Sequence, residues 1–164
     1  MILFAYGGNM NVEKFAETVP SAKKISVAKL PGYNFVFNNT GADDSSKANV
    51  EKSFDPDAMV WGVLIELIDD ERSNFYNPEG WSVDLKLEPV VCFDSEDNIF
   101  HAEVFVAHPH AVSTHLLPYD WYHQKIVTLA QRAGLPDQYI SQLKLMPFKT
   151  DPDEERRQRR LKNI

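Results

Sequence analysis

The chain of 164 residues has one cysteine, Cys92, so no internal disulfide can form, and a reducing, cytoplasmic setting is expected. No stretch approaches the roughly 18 consecutive apolar residues that a membrane-crossing helix needs, so no membrane partner is expected. No positively charged segment precedes the short apolar run Ile2–Tyr6, and a secretory signal is not expected. Positive charge is scarce: 17 Lys and Arg face 24 Asp and Glu, a formal net charge of −7. That balance argues against a nucleic-acid binder, which carries a basic footprint. The dense basic cluster, Arg156–Lys162, follows four acids. Over Asp151–Ile164 five basic residues face four acidic ones, which fits a solvated helix or frayed end better than a binding arm.

Several catalytic signatures are also missing. There is no nucleophile elbow, phosphate-binding Walker loop, zinc pair or dinucleotide fingerprint, and Gly7-Gly8-Asn9 lacks the G-x-G-x-x-G spacing. His108, His110 and His115 lie close together, but Pro109 separates two of them and no carboxylate or cysteine accompanies them in sequence. They read as a loop of solvated histidines, and no metal is expected. Cys92, in "VVCF", reads as a core residue.

What is present is a hydrophobic fraction of 43%, enough for one domain with a substantial core. Residues 2–6 read as a buried strand, and 11–19 as a short helix with Val12, Phe15 and Ala16 on one face. "KISVAKL" and "YNFVFN" read as a strand pair across the turn Pro31-Gly32. "ANV" reads as a short strand, and Met59–Ile68 as the strongest strand. Gly62 inside that strand implies a bulge or a close approach of another backbone. Asp69 is placed to cap a short helix ending before Asn77-Pro78. "VDLKLEPVVCF" and "IFHAEVFVA" form a hairpin around "DSEDN".

A long helix starts near Pro118 or Tyr119. Tyr122, Ile126, Leu129, Ala130 and Ala133 share one of its faces, Gly134 stops it and Pro136 starts another. The order of elements predicts an α+β fold, a small curled mixed or antiparallel sheet tending to a barrel with helices packed on it.

Two local features carry candidate chemistry. Tyr6-Gly7-Gly8-Asn9-Met10 leaves the first strand by a permissive turn. It is either a tight connection or a loop that presents bare N–H groups to an anion. Glu79, in "NPEGW", lies between Pro78 and Gly80 with Trp81 two residues on. A carboxylate beside an indole is desolvated, which disfavours its charged form and suits a group that moves protons both ways. An ordinary surface turn has the same composition.

In order and spacing these features resemble the γ-glutamylcyclotransferase family, within the wider AIG2-like and BtrG-like group. The resemblance rests on Tyr6–Met10, where the family has Tyr-Gly-Ser-Asn-Leu, and on "PSAKKISVAKLPGYNFVF". It rests also on "VWGVLIELID" followed by Glu79-Gly80, and on "WYHQKIVTLAQRAGLPDQYISQL". It covers residues 1–148, leaving 149–164 as a charged C-terminal tail.

The resemblance implies cofactor-independent cyclisation of a small-molecule γ-glutamyl amide to 5-oxoproline. Glu79 would be the general acid and base. Tyr6, Gly7, Gly8, Asn9, Met10 and Tyr122 would line the substrate pocket. The sequence departs from the pattern in having Gly8 in place of serine and in lacking a tyrosine soon after Glu79-Gly80. A remodelled pocket, or a binding protein of the same fold without activity, is the alternative these departures leave open.

Overall fold

The computed structural model describes residues 1–80 and 82–164, and Trp81 lies outside the described residues. Among the described residues seven strands and five α-helices follow one another: β1 Ile2–Ala5, α1 Val12–Ala16, β2 Lys23–Pro31, β3 Tyr33–Thr40, β4 Ser46–Lys52, β5 Met59–Glu66, α2 Arg72–Phe75, β6 Leu85–Asp94, β7 Ile99–Ala107, α3 Asp120–Ala133, α4 Asp137–Leu145 and α5 Glu154–Leu161. Five strands close a barrel in the order β1-β5-β2-β6-β7, and β3 and β4 form a separate two-stranded sheet. The fold is therefore α+β with a small closed barrel, as the order of elements predicts.

The barrel is antiparallel apart from its closing seam. There β7 runs parallel to β1, with Leu3 opposite Glu103 and Phe4 opposite Val104. Strand β5 pairs with both β1 and β2, which explains its near-continuous apolar sequence. Val60, Val63, Leu64 and Ile65 are all fully buried. Gly62 is required by a close approach, since a Cβ there would lie 2.5 Å from the Ala5 carbonyl oxygen and 2.8 Å from the Phe4 ring. The irregularity in this part of the sheet falls instead between Lys24 and Ser26 of β2. The β6–β7 hairpin turns where expected, with Asp97 at a positive φ of 60°.

Three expectations are corrected. Strands β2 and β3 do not pair across Pro31-Gly32. Gly32 takes a φ of +76°, and the chain leaves the barrel there, so β2 pairs with β5 and β6 while β3 pairs with β4. Asp69 does not cap a helix. It opens a 3-10 turn, Asp69–Glu71, and its carboxylate accepts from the Met1 nitrogen at 2.6 Å.

The third correction concerns residues 149–164, read as a solvated helix or frayed end: a helix without buried residues does form, but it is neither frayed nor free of the domain. Here α5 docks through charge. Arg156 makes two bonds to the buried Asp151 carboxylate (2.6 and 2.7 Å), and Trp121 of α3 donates to the same group at 2.8 Å. Arg157 reaches Asp120 at 2.6 Å. Local charge counting could not show this, because Trp121 and Asp120 on α3 lie 30 or more residues back in sequence.

Helix α3 covers one side of the barrel with Ile126, Leu129 and Ala130, which join the main core. Gly134, in the left-handed region at φ 80°, ends it, and α4 follows after Pro136. No helix among the described residues is long and apolar enough to cross a membrane.

Candidate functional site

Strand β1 ends at Ala5, and the chain turns sharply through Gly7. Gly8–Met10 form one 3-10 turn, closed by Met10 N–H to the Gly7 carbonyl (3.0 Å) and Asn11 N–H to the Gly8 carbonyl (3.3 Å). The N–H groups of Gly7, Gly8 and Asn9 donate to no backbone carbonyl among the described residues. Unpaired amides at the start of a turn form an anion-binding concavity. The same three residues line a cavity of about 310 Å³, together with Tyr6 and Tyr122. Five of the seven predicted site residues are thus brought together.

Tyr6 is buried, and its hydroxyl donates to the Phe105 carbonyl of β7 at 2.6 Å. Burial pushes its phenol far above the ordinary range. The group is a structural bolt, with its ring forming part of the cavity wall. Tyr122 accepts from Ala48 N–H at 3.3 Å, and burial pushes its phenol up to about 12. This bond ties α3 to β4, which forms the opposite wall. The approach at Gly7 is close, since a Cβ there would lie 3.3 Å from the Ala48 Cβ.

The β3–β4 sheet is held over the barrel by Asn49. It is buried, accepts from Ala107 N–H at 2.9 Å and donates to Asn38 at 2.8 Å.

Two predicted residues lie elsewhere. Met10 is buried, but it lines a separate groove with Ala22 and Leu129 on the other side of the 3-10 turn. In a 3-10 turn successive side chains diverge by about a third of a revolution, so neighbours cannot all face one cavity. Glu79 is exposed, on a turn stapled by Asn77 and Ser82. Gly80 and Ser82 N–H both donate to the Asn77 carbonyl (3.1 and 2.9 Å), and Asn77 N–H donates to the Ser82 hydroxyl (3.0 Å). Glu79 is not part of the cavity wall. The segment that carries it nevertheless begins at Phe75 and ends at Leu85, and both line the cavity. The indole expected to shield Glu79 is that of Trp81, outside the described residues.

Sequence reasoning missed three polar residues. Lys47 of β4 lines the cavity, bonds both Asp43 oxygens at 2.9 Å, and lies 5.1–5.9 Å from the ring centres of Tyr119, Trp121 and Tyr122. Burial lowers the Lys47 ammonium from its ordinary value, against the opposing pull of Asp43. Burial alone would raise the Asp43 carboxyl, but hydrogen bonds from Lys47 and Ser45 hold it below the usual range. Asn39 also lines the cavity, and its buried Oδ1 has no partner among the described residues. The third, Lys125, follows Tyr122 by three residues on α3. Its Nζ lies 3.8 Å from where a Gly8 Cβ would be. That i, i+3 spacing from a predicted pocket tyrosine was a signal in the sequence.

Of the histidines, His108 and His110 stack at 5.2 Å and His110 meets Asp84 at 3.0 Å. No group of three or more metal-ligating side chains occurs among the described residues.

No protein-family model and no curated protein matches the sequence. Solved structures do match. A γ-glutamyl cyclotransferase superposes with a TM-score of 0.84 at 22% identity, over 100% of this chain and 99% of that one. An uncharacterized Homo sapiens protein gives 0.78 at 23% identity, over 94% and 95% of the two chains. YkqA from Bacillus subtilis gives 0.73 at 20% identity, over 90% of this chain and 55% of its own. The fold is of the γ-glutamyl cyclotransferase class. Its likeness to the cyclotransferase itself runs the whole length of the chain, α5 included.

Proposed function

We propose that the protein cyclises a γ-glutamyl amide to 5-oxoproline and releases an amine or amino acid. The observation that carries this reading is the Gly7–Asn9 turn. Its residues, whose amides have no backbone partner among the described residues, line a cavity sized for a small amino-acid derivative at the end of the first strand of this fold.

In the reaction, Glu79 takes a proton from the substrate's α-ammonium. The freed amine attacks the γ-carbonyl carbon, a five-membered ring closes, the amide C–N bond breaks, and the proton passes to the leaving nitrogen. Because the attack is intramolecular, the main contribution of the protein is to hold the substrate folded back on itself. The turn's N–H groups receive negative charge on the substrate or on the developing oxyanion. Asp43 is a poor rival for the base, since its bonds to Lys47 and Ser45 keep it charged and occupied. The turn that carries Glu79 lies between Phe75 and Leu85, which both line the cavity.

The test is 5-oxoproline formation from a panel of γ-glutamyl amino acids and γ-glutamyl amines, with Glu79→Gln beside the wild type. Turnover by the wild type and a loss of at least about 100-fold in the variant are expected. Full activity in Glu79→Gln removes Glu79 from the mechanism.

The outward position of Glu79 favours one second reading, a binding protein that holds γ-glutamyl compounds without converting them. Recovery of 5-oxoproline from any bound compound excludes it.

A further inference from the structure

The groove that Met10 lines is larger than the cavity on the other side of the 3-10 turn, about 570 Å³ against about 310 Å³. Its apolar surface comes from Met10, from Val12 and Ala16 of α1, from Ala22 before β2, and from Leu129 and Ala133 of α3. Three of these six are alanines, whose side chains end at Cβ and leave the space unfilled.

Charge is uneven around this surface. Lys23, Lys24 and Arg132 line the groove against a single acid, Glu13, on a chain whose net charge is −7. Lys23 and Lys24 are exposed, and neither pairs with a carboxylate among the described residues, whereas Lys14, Lys29 and Lys47 each hold one. Lys24 is fixed at the edge of the groove, where its Nζ donates to the Ala133 carbonyl at 2.9 Å. That bond leaves its positive charge unbalanced.

A neutral apolar ligand would cover the floor and leave the lysines unanswered. A small polar anion would answer the lysines and leave the floor wet. A ligand that carries an anion at one end of an apolar body does both, gaining apolar burial and charge-assisted hydrogen bonds together.

We propose that this groove is a second binding site, separate from the cavity of the proposed reaction, and that it takes a small amphipathic carboxylate. The apolar tail lies on the floor between α1 and α3, and the carboxylate meets Lys23 and Lys24. None of the residues that form this site belongs to the Gly7–Asn9 cavity, so the assignment stands or falls independently of the γ-glutamyl reading.

The experiment is titration of the whole protein with octanoate, 1-octanol and octylammonium, followed by backbone amide NMR shifts. The three probes share one chain length and differ in the head group, and each is kept below the concentration at which it aggregates. Wild type, Ala16→Leu and the double variant Lys23→Gln/Lys24→Gln are compared. Octanoate is expected to shift the amides of residues 10–16 and 22–24 most. It is expected to bind at least about tenfold more tightly than octanol, with octylammonium the weakest. Ala16→Leu, which fills part of the floor, weakens octanoate and octanol alike. Lys23→Gln/Lys24→Gln brings octanoate down to the level of octanol and leaves octanol unchanged. Both lysines are exposed, so this variant keeps the fold and decides the question by itself. No binding of octanoate to the wild type, shifts centred on Gly7–Asn9 and Tyr122, equal binding of the three probes, or an octanoate affinity that survives in Lys23→Gln/Lys24→Gln overturns the assignment.

Discussion

The Tyr6 hydroxyl donates to the Phe105 carbonyl at 2.6 Å and so joins the end of β1 to β7 just beyond their paired residues. Among the described residues the β1–β7 seam is the one parallel contact of the barrel, with two paired positions, Leu3 with Glu103 and Phe4 with Val104. A side-chain bond at its open end fixes where the Gly7 turn leaves the sheet. Removing the hydroxyl in Tyr6→Phe keeps the ring and its edge contact with Phe35. The loss of the bond is expected to cost about 1 kcal/mol of folding stability in urea titrations. With its hydroxyl committed to structure, Tyr6 contributes no proton, and turnover in Tyr6→Phe should stay within a few-fold of wild type. A stability unchanged by the substitution would show that the seam does not depend on this bond.

The parts of the fold that the sequence makes legible are those set by neighbours in the chain. The β6–β7 hairpin is written in two apolar runs flanking Asp94–Asn98. Helix α3 is written in the Tyr122, Ile126, Leu129, Ala130 repeat and in the glycine that ends it. What stayed hidden depends on partners far away. The β2 and β3 runs look like a hairpin because Pro31-Gly32 is a turn dipeptide, yet β2 finds its partners at 59–66 and 93–94. Arg156 looks solvated until Asp151 is seen to be buried beneath Trp121.

The site divides in the same way. The Gly7–Asn9 turn was readable as local turn chemistry, whereas Tyr122 entered the site through the resemblance of its helix to the γ-glutamylcyclotransferase pattern. Lys47 and Asn39 were not readable, because only the β3–β4 pairing brings them to the cavity. Met10 was misplaced because the motif gives a residue's neighbours and not its rotation within the turn.

Gly62 is expected to tolerate no side chain. In Gly62→Ala the new Cβ would be 2.5 Å from the Ala5 carbonyl oxygen, which is backbone and cannot rotate away, and 2.8 Å from the Phe4 ring. Strand β5 sits between β1 and β2, so relief requires moving a barrel strand. Overpacking of this kind costs about 1–3 kcal/mol, and the value here should fall at the upper end because two neighbours are struck at once. Thermal and urea unfolding would measure it. An alanine variant as stable as the wild type would mean that β1 and β5 do not approach as closely as described.

Asp151 gives the fold a pH dependence of definite sign. Its carboxylate accepts from Arg156 Nε, an Arg156 terminal nitrogen, Trp121 Nε1 and Asp153 N–H. The Arg156 hydrogen bond is the largest influence, and together these donors hold the group at about 2, below the ordinary 3.8, against the opposing effect of burial. A folded-state value below the unfolded one means that the charged form is favoured by folding. The stabilisation is therefore complete above about pH 4 and is lost as pH falls towards 2. A depression of this size corresponds to about 2 kcal/mol.

Other carboxylates, Asp69 and Asp94 among them, are also held below their ordinary values, so acid destabilisation of the wild type alone would not identify Asp151. The difference between wild type and Asp151→Asn does. Urea unfolding at pH 5 should separate the two proteins by about 2 kcal/mol or more. By pH 2.5 the gap should have narrowed, since the wild-type carboxylate is by then losing its charge. A gap that stays constant across that range would mean that the Arg156–Asp151 pair does not hold α5 against α3.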